Sequence, residues 1–522
     1  MKAQDYQISS EKFVFHSHGD TLHDKKLETK PIGYFKDALN RFSKNKGSIV
    51  AAFIILFLIL FAIFGPMFTP YSVAYNDMYY AYALPKNETF AKLGFWDGKE
   101  KRILNQSAFN YYRGIEIELG TDVIDDDYEK IVEIYFKKEK ITYNANVDTY
   151  SMVGVKFLQL TDEEYKALQA YQNRTCIQVI LPVTDPTLRP GGLDGGMTSD
   201  GTDGNFWYLT KEGAGGKTEA VFDEDGNYIP IYQLTAEHET VDVDQYNSIR
   251  VEGNERIFNY AEKKQGLWNV RVNYEKYYTY YHSEVLKDGI TKPVFAFGTD
   301  DQGKDLFTCL ASGARFSFIL AIIVASVNLF VGAIYGAIEG YYGGKVDIIM
   351  ERICDLLGAI PFMIVITLLK YHLQVSHMIV LFISFFLTGW MGMAGSTRMQ
   401  FYRFKNQEYV LVARTLGARD RRIMFKHIFP NAIGTLITRC VLVVPSVIFS
   451  ETSLSYLGII DLNNGNLTSV GTLLAKGQGY LTTYPHIIIW PSLFISLLML
   501  SFNLFGNGLR DAFNPSLRGT EE

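Results

Sequence analysis

Long apolar runs along the chain are interrupted by one wide polar stretch. Residues 48–68 form an almost continuous apolar run. A helix that crosses a bilayer needs about 20 mainly apolar residues, because the hydrocarbon core is about 30 Å thick and a helix rises about 1.5 Å per residue. Five further runs follow residue 300, at 316–338, 356–369, 378–396, 432–460 and 486–505. The pattern therefore predicts six membrane-spanning helices.

The polar stretch between the first and second predicted spans, residues 71–295, contains no run long enough to cross a bilayer. Residues 130–136 and 152–158 are rich in Val, Ile and aromatic side chains, which favours β-strands. Thr161 and Glu164 have the spacing of a capping box before a helical apolar pattern. We therefore expect an α+β domain inserted into a membrane protein.

Charge is divided between the same two regions. The whole chain of 522 residues has a net charge of −6. Residues 71–300 contain 24 Lys and Arg against 37 Asp and Glu, a net charge of −13, which leaves +7 for the rest. This balance argues against nucleic acid as the main partner, and four cysteines in such a length exclude a disulfide scaffold.

Basic residues near the ends of the apolar runs predict the orientation. Residues 398–426 contain eight Lys and Arg against two acidic residues, and the N-terminal stretch ends in Arg41, Lys44 and Lys46. Such residues accumulate on the cytoplasmic side of a membrane. With six spans, both termini are expected in the cytoplasm and the insert outside, in a multi-pass protein of the cell membrane.

These observations give a predicted organisation for the whole chain. We expect a membrane all-α body with an extracellular α+β insert between spans 1 and 2. The predicted parts are a cytoplasmic tail (1–47), a first span (48–68), the insert (71–295), five further spans (296–510) and a cytoplasmic tail (511–522).

The connection between the fourth and fifth predicted spans has an unusual composition. Residues 408–431, called the elbow here, indicate two short helices broken at Gly417, with Asp420 capping the second and Pro430 ending it. A basic and compact connection of this kind is typical of a docking surface.

The spacing of Ala413, Gly417, His427 and Pro430 resembles the EAA loop of ABC-importer permeases. In that family the loop forms a coupling helix that seats in a cleft of a cytoplasmic ATPase subunit. The family's Glu-Ala pair is Leu-Val here, at 411–412, and an acid lies one turn earlier. The resemblance implies a coupling role for Glu408, Ala413, Gly417, Ala418, Asp420, His427, Pro430 and Asn431.

Other segments are similar to the C-type permease subunit of dipeptide, oligopeptide and related nickel importers. They are residues 298–305 (GTDDQGKD), 340–347 (GYYGGKVD), 451–458 (ETSLSYLG) and 503–511 (NLFGNGLRD). The resemblance covers about residues 36–70 and 296–519 and leaves the insert outside it. It implies the six-span bundle of a type I ABC importer permease.

The family resemblance also implies the function and the partners. We expect a permease subunit that forms half of a translocation pathway for peptides and has no catalytic residue, metal site or cofactor of its own. The implied partners are a homologous second permease subunit, two cytoplasmic ABC ATPase subunits, an extracytoplasmic peptide-binding lipoprotein, the peptide and the lipid bilayer. Nickel or another small solute remains an alternative substrate.

The sequence also bears on two other classes of protein. A receptor or sensor fits the outer domain, but the predicted inner loops and tails leave no room for a signalling domain. A membrane enzyme is not supported by any HExxH, P-loop or GxSxG motif, since His238-Glu239 lacks the second histidine.

Charged residues also fall inside the fifth predicted span, where a charge costs at least about 2.5 kcal/mol and usually faces a cavity or a partner. Arg439 and Glu451 are 12 positions, or about 18 Å, apart on one helix and cannot pair there. For Glu451 the alternatives are a structural hydrogen bond to the adjoining loop or substrate contact, and nearby Ser455 is a candidate for the pathway or for the contact between subunits. For Arg439 the alternatives are the pathway and the partner permease.

Overall fold

The computed structural model describes residues 34–135, 138–175, 177, 179–181, 210–212, 218–220, 246–250, 257–462 and 468–513. Helix α1 spans Tyr34–Phe42 and α2 spans Lys46–Phe64, followed by a single 3-10 turn. The side chain of Asn45 caps α2 by accepting a hydrogen bond from the Ser48 amide at 3.2 Å. With its 3-10 turn, α2 is apolar over Lys46–Met67, which covers the first predicted span.

The insert contains both helices and antiparallel strands, as predicted. Its helices are α3 Glu88–Ala91, α4 Gln106–Leu119, α5 Asp162–Thr175 and α6 Tyr274–Tyr280. Its strands are β1 Lys99–Asn105, β2 Glu129–Tyr135, β3 Lys138–Asp148, β4 Val155–Leu160, β5 Thr210–Glu212, β6 Thr218–Ala220, β7 Tyr246–Arg250, β8 Ile257–Lys264 and β9 Leu267–Asn273. The described strands of the insert form sheets ordered β1-β3-β2, β4-β9-β8-β7 and β5-β6.

Each larger sheet of the insert packs on one helix. Phe109 and Ile115 of α4 bury against Tyr143 and Val147 of β3. Helix α5 packs on β4 and β9 and begins with the predicted capping box, in which the Thr161 amide donates to the Glu164 carboxylate at 2.9 Å. The second predicted strand starts later than expected, because Gly154 (φ +57°) ends a 3-10 turn just before β4.

The bundle is built from helices that follow the insert. They are α7 Leu306–Tyr342, α8 Gly344–Gly358, α9 Phe362–Leu373, α10 His377–Gly389, α11 Met391–Phe404, α12 Glu408–Thr415, α13 Asp420–Arg422, a π-helical turn Ile423–Ile428, α14 Phe429–Tyr456, α15 Val470–Gln478 and α16 His486–Phe513. Within the described residues, five helical segments are long and apolar enough to cross a membrane: Lys46–Met67, Leu306–Tyr342, His377–Phe404, Asp420–Tyr456 and His486–Phe513.

The predicted span at 356–369 is not a single helix. It straddles a bend of 70° between α8 and α9. Pro361 stands at the bend as the residue before α9, and proline both lacks an amide donor and disfavours a helical conformation at the residue before it. The described part of the chain therefore contains five apolar helical segments and one bent pair where the sequence predicts six spans.

Contacts between the helices define two ends of the bundle. At the insert end, residues 65–71 and 295–306 connect the bundle to the insert, and the elbow end contains the elbow. Ser48, at the start of α2, donates to the Leu504 carbonyl near the end of α16. The bent pair begins beside Arg398 at the elbow end and finishes at the insert end, where Lys370 donates to the Ile459 carbonyl at 2.6 Å. Helix α1 packs on α16, so the first described residues and the end of α16 both lie at the elbow end.

An aromatic collar joins the insert to the bundle. Buried rings of Tyr71, Tyr80, Tyr150, Tyr278 and Phe295 form one cluster at the base of the insert. Beside this cluster, the Tyr82 ring of the insert stacks on the ring of Tyr484, just before α16, with 4.2 Å between the ring centroids. The base of the insert is thus fixed to the bundle by packing as well as by its two chain connections.

Candidate functional site

The elbow consists of α12, a turn, and the start of a long helix. The predicted break at Gly417 is confirmed: its φ of +80° is a left-handed conformation that favours glycine, and the Ala418 amide closes the turn on the Ala413 carbonyl at 3.0 Å. A Cβ atom on Gly417 would meet nothing within 4 Å. The constraint at this position is therefore conformational and not steric.

The second half of the elbow differs from the prediction. Pro430 does not end a short helix, because α13, the π-helical turn and α14 run on as one apolar segment from Asp420 to Tyr456. Proline is tolerated in the first turn of α14, where an amide donor has little use. Asp420 is not the cap either: it is the first helical residue, and its carboxylate accepts a hydrogen bond from the Tyr341 hydroxyl at 2.6 Å.

Buried apolar contacts hold one side of the elbow against the bundle. Val410 of α12 and Ile423 and Ile428 of the π-helical turn are completely buried. They pack against Phe401 of α11 and Tyr341 at the end of α7. The elbow is therefore packed against α7 and α11 and continues directly into α14.

The opposite side of the elbow is exposed and carries large apolar side chains. Leu416 is 82% exposed and Val412 is 57% exposed. Beside them lies a pocket of about 660 Å³, lined by Arg419, Arg421, Arg422, Phe425, Lys426 and Pro430. Within the described residues, no carboxylate forms an ion pair with these four cations. Such a surface is complementary to a partner with apolar and acidic groups.

The structure brings most of the predicted elbow residues into one unit. Glu408 begins α12 and is exposed. Asn431 links the two halves, because its side-chain amide donates to the His427 carbonyl at 2.8 Å and to the Tyr409 hydroxyl at 3.2 Å. The sequence reasoning missed Tyr341 and Tyr409, although Tyr341 lies in the 340–347 motif that signalled the resemblance.

A charged cluster lies just before the elbow. Arg398 of α11 binds both carboxylate oxygens of Asp347 at 2.6 and 3.0 Å and also pairs with Glu351 and Glu339. Carboxylate oxygens of these three acids lie within 4.8 Å of one another, a spacing that suits a metal ion. The guanidinium of Arg398 already supplies the positive charge among them. The cluster therefore ties α7, α8 and α11 together.

The two charges of the fifth predicted span have different environments. Glu451 is completely buried and accepts hydrogen bonds from Ser317 of α7 at 2.9 Å and from Ser455 at 3.2 Å. Ser455 is also buried, at 3% exposure. Both hydrogen bonds come from helices of the bundle, Ser317 from α7 and Ser455 from α14 itself. Arg439, in contrast, is exposed along a cleft of the bundle.

Two family models match this chain. Residues 329–519 match the model described as "Binding-protein-dependent transport system inner membrane component". Residues 33–85 match the model described as "N-terminal TM domain of oligopeptide transport permease C". The first match begins inside α7, and the second continues past the first apolar helix into the insert.

Curated relatives are also similar to this chain. The oligopeptide transport system permease protein OppC of Bacillus subtilis is 43% identical over 42% of this chain and 72% of its own length. The dipeptide transport system permease protein DppC of the same organism is 39% identical, over 42% and 69%. OppC of Escherichia coli K12 is 35% identical, over 42% and 72%.

Among solved structures, an inward-facing MetNI methionine ABC transporter aligns over 40% of this chain and 96% of its own. The identity is 13% and the TM-score 0.33.

Proposed function

Because the chain belongs to the family of binding-protein-dependent inner membrane components that includes the oligopeptide and dipeptide transport permeases, we propose that it is the permease subunit of an ATP-driven peptide importer. It forms half of the translocation pathway and has no catalytic role of its own. The observation that carries the proposal is the elbow, an exposed apolar and basic surface fixed from behind to three helices of the bundle.

The elbow faces the cytoplasm in this proposal, and the insert lies outside the cell. The bent pair counts as one broken span, because it connects the two ends of the bundle, which gives six crossings and the membrane fold of a type I importer. Both chain ends then lie in the cytoplasm with the elbow. The concentration of Lys and Arg at that end supports the orientation.

Coupling follows from the way the elbow is built. Leu416 and Val412 enter a cleft of a cytoplasmic ATPase subunit, and the surrounding arginines attract its acidic groups. When the two ATPase subunits close, they displace the elbow. The neighbouring bundle helices move with it, because Val410 of the elbow is buried against them. The displacement passes into α14 without a break, since the segment from Asp420 to Tyr456 is helical throughout.

The complete importer requires further subunits. A homologous second permease forms the other half of the pathway, and an extracytoplasmic binding lipoprotein delivers the peptide. Relatives named for oligopeptide and dipeptide transport support a peptide substrate over nickel or another small solute.

The docking proposal is tested at Leu416, whose exposure makes a structural cost of substitution small. Leu416→Asp places a carboxylate in the apolar contact, and we expect loss of ATPase co-purification and of peptide uptake. The matched control is Leu93→Asp on the insert, where Leu93 is 68% exposed. Unchanged ATPase association in the Leu416 variant would contradict the proposal.

For the insert, we propose that it docks or orients the binding protein, or guards the entrance of the pathway. Its net negative charge and its attachment over the insert end support this role. The alternative is a passive elaboration of an outer loop.

A deletion that leaves the collar intact separates the two roles. The Thr149 amide donates to the Gly98 carbonyl at 3.0 Å, so residues 99–148 can be replaced by a short linker. We expect reduced uptake at normal expression. Undiminished transport would favour the passive alternative.

A further inference from the structure

Three arginines from three different helices line one cleft at the elbow end of the bundle. Arg403 of α11, Arg439 of α14 and Arg510 of α16 surround a cavity of about 310 Å³. The remaining lining side chains are Gln400, Thr435, Thr438, Leu442 and Phe513. No carboxylate is among them. The cleft therefore concentrates three positive charges with several neutral hydrogen-bonding groups.

The three arginines differ in depth. Arg403 lies one residue before the end of α11, and Arg510 lies in the last turn of α16. Arg439 lies ten residues after the first residue of α14, so its Cα is about 15 Å along the helix from that residue. The cleft thus leads from the boundary of the bundle into its interior.

No anion in the described part of the chain compensates Arg439 or Arg510. Neither guanidinium has a hydrogen bond or an ion pair there, while Arg403 contacts only the ring of Phe404, at 5.5 Å. An uncompensated charge within a bilayer is costly and normally faces water, a partner or an anion. The planar fork of a guanidinium matches carboxylate and phosphate oxygens in two-point hydrogen bonds.

We propose that this cleft, the arginine cleft, is an oxyanion-binding site that takes a carboxylate or a phosphate group. The carboxylate source is the C-terminus of a peptide leaving the pathway, an assignment that rests on the proposed function. The phosphate source is the headgroup of an anionic lipid in the adjacent leaflet. Arg439 binds the oxyanion at depth, and Arg403 and Arg510 attract it from the boundary.

The test uses the full chain with its partner subunits in nanodiscs of phosphatidylcholine. Thermal unfolding is followed against the concentration of N-acetyl-dialanine and, separately, of its C-terminal amide. A ligand that binds only the folded state raises the unfolding midpoint. We expect the free carboxylate to raise it and the amide to leave it unchanged. Arg439→Gln should weaken the apparent affinity by about tenfold, as expected when a charge-assisted hydrogen bond is lost.

A second arm replaces part of the phosphatidylcholine with phosphatidylglycerol. Stabilisation of the unsubstituted complex but not of the Arg439 variant would identify lipid phosphate as the source and would support the site equally. The double variant Arg403→Gln with Arg510→Gln repeats both arms in case Arg439→Gln does not assemble. The control is Lys345→Gln, because Lys345 is exposed and lies outside the cleft.

Two results would overturn the proposal. In the first, the arginine variants respond to both anions as the unsubstituted complex does, or neither anion stabilises it. In the second, the variants assemble with the ATPase but lose the second permease subunit, which would assign the arginines to a protein interface. Peptide uptake is measured separately. Anion binding without uptake would contradict the importer assignment but would still support the oxyanion site.

Discussion

The insert end of the bundle and the elbow surface differ in how their charged residues are paired. At the insert end, Thr299 and Asp300 are at most 1% exposed, and Asp300 accepts hydrogen bonds from the Gln302 and Lys304 amides at 2.9 Å. At the elbow end, Arg421 and Arg422 are exposed beside an open pocket. Asp300 is also paired with Lys476 inside the chain, whereas Arg421 and Arg422 have no ion pair among the described residues.

This difference shows that charged and polar groups serve two purposes in the bundle. Buried and bonded polar groups at the insert end fix the position of the insert, because leaving such a group unpaired costs about 1–3 kcal/mol. Exposed cations at the elbow end contribute little to folding and remain available for binding. Substitutions at the first end should therefore change stability, and those at the second should change association.

The largest effect is expected at Gly303, in the loop before α7. Its φ is +72°, and a Cβ atom there would lie 1.8 Å from the Asp77 carbonyl oxygen. Gly303→Ala should lower the free energy of unfolding by about 3 kcal/mol, measured by thermal unfolding of the purified protein. Gly344→Ala at the elbow end is the control, since Gly344 has φ +58° but open space around it. Equal losses of stability in both variants would show that the close contact with Asp77 is not the cause.

A smaller loss of stability is expected from Lys476→Met. Lys476 is the cationic partner of buried Asp300, with 3.3 Å between the ammonium nitrogen and the carboxylate. Breaking a buried pair leaves an uncompensated charge, which should cost about 2 kcal/mol here because the lysine is partly exposed. Combining it with Asp300→Asn should recover most of the loss. A double variant as unstable as the sum of both single ones would show that the pair is not coupled.

At the elbow end we expect a change in binding without a change in folding. Arg421→Glu with Arg422→Glu should weaken ATPase association about tenfold, or about 1.4 kcal/mol. The unfolding midpoint should hardly move, because both residues are exposed and unpaired within the described chain. Lys92→Glu with Lys101→Glu gives the same charge change on the insert. A similar loss of association in that control would mean that net charge alone matters.

The smallest effect concerns pH at the collar. Burial raises the pKa of Asp77, whose carboxylate accepts hydrogen bonds from the Tyr274 hydroxyl at 3.0 and 2.9 Å and lies near His282. A raised pKa means that the neutral carboxyl is favoured in the folded state. Its stabilisation is therefore present below the ordinary pKa of about 4 and is lost as the pH rises through the folded value. Asp77→Asn should flatten this dependence in thermal unfolding, and an unaltered pH profile would contradict the assignment.

Much of this architecture was predictable, for reasons visible at particular residues. The apolar run of α2 and the capping box at Thr161 are local patterns, so the sequence predicts them directly. The bend at Pro361 falls inside the predicted span 356–369, because apolarity continues across it and hydropathy does not register a missing amide donor. Pro430 was misjudged for a related reason, since proline ends a helix in its interior and is tolerated in a first turn.

Sequence alone determined the division into an apolar bundle and an acidic insert, the basic elbow and its turn at Gly417. These features depend on composition and on the conformational preferences of single residues. Only the tertiary structure decided that Tyr341 holds the elbow, that Glu451 is enclosed by Ser317 and Ser455, and that Arg403, Arg439 and Arg510 share one cleft. Such contacts join helices far apart in the chain, and their partners are chosen by packing.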